Sequence, residues 1–145
     1  MDKLNFKWEK VQYEIDNEPT MTWQILINDI DLISLVKIVE QPMAAANNEV
    51  GIAGSYAPLT LDDLYDEIKI DCDVETKEIT LLGCPCGIVD CWPLCAHMEQ
   101  SEDTIMWYGF SNPHRKWDYS NFGPFVFDKR EYEDLLDKLK SNSKF

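Results

Sequence analysis

A short stretch, residues 81–97, constrains this chain more than any other. Four of the five cysteines lie in it, and one of the two histidines follows at once: Cys84, Cys86, Cys91, Cys95 and His97. Two prolines and a glycine interrupt the apolar runs that enter and leave the cluster. Such a pattern is typical of a strand, a tight turn and a returning strand. We therefore predict a hairpin between 78–84 and 91–98 with the cysteines at its turn.

A metal site is one interpretation of the cluster. Thiolates and imidazole are the ligands that select zinc, and the spacing C-x-C-x4-C-x3-C-x-H offers more than the four that zinc needs. Known zinc signatures, however, usually place two C-x2-C pairs far apart in the chain. Here every candidate ligand is local, and two residues in a C-x-C pair on a strand point to the same face. The candidate zinc ligands are Cys84, Cys86, Cys91, Cys95 and His97.

Two other interpretations of the cysteines stay open. One is a tight hairpin whose small thiols pack inside the protein, because free cysteine is among the most buried residue types. The other is a thiol-dependent enzyme that uses Cys86 or Cys91. The sequence has no C-x-x-C pair, and its acidic surroundings raise the pKa of a thiol and so disfavour the reactive thiolate.

Charge excludes some classes of partner. The net charge is −14, with 27 acidic residues against 13 Lys and Arg. Nucleic acids and anionic membrane surfaces are bound through basic residues, so neither is an expected partner. The first residues have no apolar core of a signal peptide, and no apolar run reaches membrane length. With an odd number of cysteines, these features predict a cytoplasmic protein with free or metal-bound thiols.

Periodicity predicts an α+β fold. Alternating or β-branched runs predict strands at 4–15, 21–27, 78–84, 91–98 and 104–110, with turns at 16–19 and 100–103. Helical spacing with capping residues predicts helices that begin after Asn28, Thr60 and Asp128, and Pro42 is expected to end the first. Residues 43–58 are expected to form a long loop. We predict one domain over 1–145, an antiparallel sheet of about five strands with two to three helices on one face.

An acidic segment follows Thr60. Between Asp62 and Glu78, eight acids stand against two lysines. A solvated helix face explains such a run, but its density also suits docking of a basic protein. The candidate partner-binding residues are Asp62, Asp63, Asp66, Glu67, Asp71, Asp73 and Glu75.

Residues 111–119 combine histidine, arginine, tryptophan and aspartate, which are common in active sites. The chain has no serine or cysteine at a nucleophile elbow to accompany them. We therefore expect His114 or Arg115 to stack on aromatic rings and to pair with Asp118, which would close the loop.

The cysteine motif also carries a resemblance. The run Leu81-Leu82-Gly83-Cys84-x-Cys86-Gly87-x-x-x-Cys91-Trp92-Pro93-Leu94 is followed by Trp107, Phe110, Pro113, Arg115, Trp117 and Tyr119, and then by Gly123-Pro124-Phe125-x-Phe127-Asp128-x-x-x-Tyr132. From Trp23 onward, the chain resembles a family of small uncharacterised bacterial proteins. In that family only the positions of Cys84, Cys86 and Cys91 are cysteine, which leaves a zinc site one ligand short. Small acidic proteins of this kind are similar to the immunity proteins of bacterial toxin systems, an analogy at the level of fold.

These observations predict a non-catalytic immunity protein that neutralises a bacterial toxin domain through its acidic surface. No cofactor is expected on this hypothesis. The first alternative is a small zinc-binding protein that uses the cluster from Cys84 to His97. The weaker alternative is the thiol-dependent enzyme.

Overall fold

The computed structural model describes residues 1–11 and 20–141. In chain order the elements are β1 (Leu4–Val11), β2 (Thr20–Ile27), β3 (Ile30–Asp31), α1 (Leu32–Ala46), β4 (Ala57–Pro58), α2 (Leu61–Ile68), β5 (Thr76–Gly83), β6 (Leu94–Gln100), β7 (Thr104–Ser111), β8 (Phe125–Asp128) and α3 (Lys129–Lys140). Two short 3-10 helices lie at Val50–Ile52 and Val89–Cys91. The turn predicted at 16–19 and the last residues, 142–145, lie outside the described part.

The first sheet is antiparallel and contains β1, β2 and β3 in that order. Phe6 lies opposite Ile25 and Trp8 opposite Trp23, so the even-numbered apolar residues of β1 share a face with the odd-numbered ones of β2. The Trp8 and Trp23 rings contact each other with their centroids 4.5 Å apart. The alternation that predicted two opening strands is therefore confirmed within the described residues.

The second sheet is antiparallel with the order β4-β5-β6-β7-β8. The meander of β5, β6 and β7 agrees with the prediction, and Ser101 closes the turn between the last two by donating its backbone N–H to the Thr104 carbonyl at 3.0 Å. The start of β6 differs: it begins at Leu94 because Cys91 belongs to a 3-10 helix and Pro93 has no N–H to donate to a ladder. The prediction of an antiparallel sheet of about five strands is confirmed by this second sheet, and β1, β2 and β3 form a separate three-stranded sheet.

Both sheets and all three helices share one apolar cluster. Its fully buried members include Trp23, Ile27, Leu32, Val36, Leu64, Ile68, Ile79, Leu81, Leu94, Trp107, Tyr132 and Leu139. Trp107 packs edge-on against Phe127 and Tyr132, with ring centroids 4.9 and 6.1 Å away. The Tyr132 hydroxyl donates to the Ile68 carbonyl at 2.7 Å, which joins α3 to the end of α2. The α+β fold predicted from the sequence is confirmed.

The caps of α2 and α3 are those that the sequence predicts. Thr60 Oγ1 accepts a hydrogen bond from the Asp63 N–H at 3.4 Å, and an Asp128 oxygen accepts one from the Glu131 N–H at 3.0 Å. Each side chain satisfies one of the free N–H groups of a first helical turn.

The predicted cap of α1 is wrong. Asn28 and Asp29 have φ values of 53° and 67° and form the two-residue turn between β2 and β3, a turn that favours such residues because it needs positive φ at both positions. Asp31 is the cap instead, and its Oδ1 accepts from the Ile33 N–H at 3.1 Å.

Pro42 does not end α1, which continues to Ala46. Proline removes one helical hydrogen bond, to the carbonyl of Ile38. Ile38 and Pro42 lie on the exposed face of the helix, whereas Glu40 and Ala44 are fully buried on the other. Packing of the buried face therefore holds the helix on both sides of the proline, and water can satisfy the freed carbonyl.

The long loop predicted at 43–58 is also shorter in the structure. The last turn of α1 occupies its first residues, and the Val50–Ile52 helix and β4 occupy much of the remainder. The short β4 pairs Pro58 with Leu82 and Ala57 with Gly83. This pairing brings the segment beside the cysteine turn.

Candidate functional site

The cysteine turn connects β5 to β6. Gly87 has a φ of 95° and donates its N–H to the Cys84 carbonyl at 3.0 Å, which reverses the chain directly after β5. The Val89–Cys91 helix then brings the chain back. Through this path the Sγ atoms of Cys84, Cys86 and Cys91 all lie within 4.8 Å of one another. A group of three thiols is one that can hold a soft metal ion.

The close return of the chain depends on Gly83. A Cβ at this position would lie 3.2 Å from the Val89 Cα and 3.3 Å from a Val89 methyl carbon. Glycine therefore lets the 3-10 helix pack directly on the end of β5.

Backbone N–H groups donate hydrogen bonds to the sulfurs of Cys84 and Cys86. The Ile88 N–H donates to Cys86 Sγ at 3.4 Å. The pKa of the Cys84 thiol is raised to about 11. Burial is the main cause, a hydrogen bond from the Cys86 backbone opposes the rise, and the Cys86 and Cys91 thiols add to it. Backbone donors to sulfur favour the thiolate, and a bound metal supplies the positive charge that removes the proton. Without a metal, Cys84 is therefore a poor nucleophile. The thiol enzyme predicted from the sequence would use Cys86 or Cys91, and that hypothesis stays a prediction.

Cys95 and His97 do not join the group of thiols. They lie on β6 with their side chains on the face opposite the buried Leu94, Ala96 and Met98. Cys95 Sγ lies 3.8 Å from Thr80 Oγ1, and burial raises the pKa of this thiol. The predicted five-residue ligand set is therefore reduced to three, because the period of the strand separates its last two members from the turn.

His97 has a packing role in the structure. Its ring lies 5.5 Å from that of Tyr108. Gly109, at a φ of 61°, leaves the room that the imidazole occupies, since a Cβ there would lie 2.8 Å from His97 Cδ2.

Residues 111–119 cover one side of the cysteine turn. The guanidinium of Arg115 lies 4.9 Å above the ring of Trp92, and the His114 ring stacks near the same indole at 6.3 Å. Trp117 meets Trp92 edge-on at 6.1 Å. His114 Nε2 lies 2.9 Å from the carbonyl oxygen of Asp90, inside the turn. These contacts hold the residue after Cys91 in place.

The stacking of this loop is as predicted, but the ion pair is not. Arg115 Nε lies 3.4 Å from an oxygen of Glu49, before β4, and that contact joins the loop to a distant segment. Asp118 instead accepts a hydrogen bond from the Ser120 N–H at 2.9 Å. Hydrogen bonding to the Ser120 side chain, and then to this N–H, lowers the pKa of the Asp118 carboxyl. Asp118 thus closes its own turn.

An acidic groove lies beside the cysteine turn, between it and α2. The groove has a volume of about 320 Å³. Its lining includes four carboxylate residues: Asp63, Asp66, Glu67 and Asp90. Three belong to the predicted docking surface, and Asp90, inside the cysteine turn, was not predicted. Only its position in sequence between Cys86 and Cys91 could have indicated that it lies there.

The other predicted docking residues lie outside this groove. Asp62 is exposed in the first turn of α2, and Asp73 and Glu75 are exposed in the connection to β5. Asp71 forms an ion pair with Lys77 at 3.2 Å. The predicted surface is therefore divided between the groove and the connection that follows α2.

One buried polar cluster was not predicted. Glu40 is fully buried, its Oε1 accepts the Gly54 N–H at 2.8 Å, and its Oε2 accepts the hydroxyls of Tyr56 and Tyr119, each at 2.5 Å. Asn112 donates to the Tyr56 hydroxyl at 3.1 Å. Burial, and then Glu40, raises the pKa values of both tyrosines far above the usual 10. The cluster joins α1 to both segments that flank the cysteine turn.

The chain was compared with models of protein families, with curated proteins and with solved structures, and none matched. Among the helices of the described residues, none has the length and apolar character needed to cross a membrane.

Proposed function

We propose that this chain is a small zinc-binding protein whose ligands are Cys84, Cys86 and Cys91. The observation that supports it is the convergence of the three Sγ atoms within 4.8 Å. A tetrahedral site with Zn–S bonds of 2.3 Å places its sulfurs about 3.8 Å apart. The turn therefore needs to contract by about 1 Å at most, from 4.8 Å to that spacing, to hold the ion.

Metal analysis tests this proposal. Protein purified without chelators should carry about one equivalent of zinc, because an ion held by three thiolates contributes folding energy and stays bound. Zinc at 100 times its dissociation constant should raise the free energy of unfolding by about 2.7 kcal/mol. Cys84→Ser and Cys91→Ser should abolish both effects, whereas Cys95→Ser, a matched control on β6, should leave both unchanged. Less than about half an equivalent of zinc in the unaltered protein would contradict the proposal.

A second candidate function is inhibition of a toxin domain by an immunity protein, and the acidic groove favours it. Four carboxylate residues around one concave surface suit the lysine and arginine side chains of a basic protein. Charges of this kind mainly accelerate association, so their effect should be largest at low salt. Glu67 contributes less than the others, since its Oε1 accepts the Thr80 N–H.

Capture from the native host tests the second candidate. The unaltered chain should retain a basic protein with a toxin domain at low salt, and a variant with Asp63, Asp66 and Asp90 changed to lysine should lose it. The control variant carries lysine at Glu133, Asp134 and Asp137, which are exposed on α3, so its net charge changes equally. Equal loss in both variants would show a general charge effect, and equal retention would exclude the groove.

A further inference from the structure

The cysteine turn supplies three ligands, one fewer than tetrahedral zinc takes. Within residues 1–11 and 20–141, the Sγ atoms of Cys84, Cys86 and Cys91 form a group that no histidine or carboxylate oxygen joins. Asp90 is adjacent to Cys91 in sequence, yet its side chain is exposed and lines the acidic groove. The described part of the chain therefore leaves one coordination position without a ligand.

This open position lies at the surface. Cys91 is exposed, and Cys84 and Cys86 are half-buried. A donor from outside the chain can approach there without rearranging the core.

Charge decides which donor suits the position. Three thiolates outweigh the charge of a zinc ion, so the site is negative when it is filled. Asp63, Asp66 and Asp90 line the adjacent groove and add to the negative potential. A fourth thiolate or a carboxylate would add to this negative charge, whereas a neutral imidazole would not. Imidazole would also complete a Cys3His set, which zinc commonly takes.

We infer that the fourth ligand of this site is an imidazole supplied from outside the chain, the histidine side chain of a partner protein. The inference rests on the proposed zinc site. It differs from a closed structural site, in which all four ligands would come from this protein.

Cobalt(II) serves as a visible stand-in for zinc in the test. The full chain, freed of metal, is titrated with cobalt, and the thiolate-to-cobalt absorption band reports the three sulfurs. No stoichiometric binding would overturn both the zinc site and this inference. When cobalt binds, imidazole is titrated into the loaded protein, with 2-mercaptoethanol as the matched thiol probe.

We expect imidazole to shift the ligand-field bands saturably and at lower concentration than the thiol. Tighter binding of the thiol, or no response to imidazole, would overturn the inference while leaving the zinc site intact. His97→Ala and His114→Gln test for an internal ligand, and the glutamine can still donate to the Asp90 carbonyl. A changed cobalt spectrum in either variant before imidazole is added would place the fourth ligand inside the chain and overturn the inference.

Discussion

Removal of one hydroxyl from the Glu40 cluster should lower stability measurably. In Tyr119→Phe the carboxylate loses one of three donors, but its Oε2 keeps the Tyr56 hydroxyl and its Oε1 keeps the Gly54 N–H. No oxygen is left without a partner, so the cost is that of one hydrogen bond to a charged group, about 1.5–3 kcal/mol. For a domain of this size that corresponds to a fall in Tm of about 3–12 °C.

Urea denaturation measures this difference directly. The midpoint should fall while the m-value stays constant, since the surface exposed on unfolding does not change. Tyr108→Phe is the matched control, because Tyr108 is half-buried and lies on the face of β7 opposite the buried Trp107. We expect it to change the free energy of unfolding by less than about 0.5 kcal/mol.

The double variant sharpens the test. When Tyr56 and Tyr119 are both replaced by phenylalanine, Oε2 of Glu40 has neither hydroxyl and the carboxylate stays buried. The combined loss should therefore exceed the sum of the single losses, since a buried acceptor without a partner bears its full desolvation penalty. Equal stability of Tyr119→Phe and Tyr108→Phe, or strict additivity in the double variant, would refute this account of the cluster.

Three further predictions concern other parts of the fold. Burial raises the pKa of Tyr132 in the folded protein far above the usual 10. Its contribution to stability is therefore complete below pH 10, and above pH 10 the free energy of unfolding falls by about 1.4 kcal/mol per pH unit. Tyr132→Phe should make the plot of unfolding free energy against pH less steep above pH 10 by that amount. Gly109→Ala should destabilise by more than about 1 kcal/mol in urea, because its φ is 61° and the new Cβ would collide with His97; a neutral effect would contradict the geometry. Asp128→Ala should cost about 1 kcal/mol in thermal denaturation, since Glu131 loses its cap, and Asp128→Asn should restore most of it.

Local signals in the sequence predict local structure well here. The caps Thr60 and Asp128 were identified correctly because each depends on residues three positions apart. The prediction of Asn28 as the cap of α1 is wrong because asparagine is common both in hairpin turns and at helix starts. Here β2 pairs with β3, so Asn28 lies in the turn between these two strands. The predicted end of α1 at Pro42 is wrong because packing of the buried helix face outweighs the one hydrogen bond that proline removes.

The candidate site depends on contacts that sequence spacing does not contain. Alternation along β6 places Cys95 and His97 on one face of the strand, away from the thiols of the turn. The sequence predicted a strand that begins at Cys91, however, and the separation follows only when the strand begins at Leu94. Glu40 had a visible signal, since it continues the four-residue spacing of Leu32 and Val36 along the buried stripe of α1. Its partners, Tyr56 and Tyr119, lie 16 and 79 residues away, and no local pattern connects them.

The contact between Glu67 and Thr80 has a consequence for aggregation. At this point β4 no longer pairs with β5, and the carboxylate of Glu67 accepts the backbone N–H that a further strand would otherwise bind. An uncovered edge of this kind is a template on which other chains can assemble as added strands. Glu67 therefore blocks strand addition at this sheet edge. A partner that bound the Glu67 carboxylate would free the Thr80 N–H and leave the edge open to another strand.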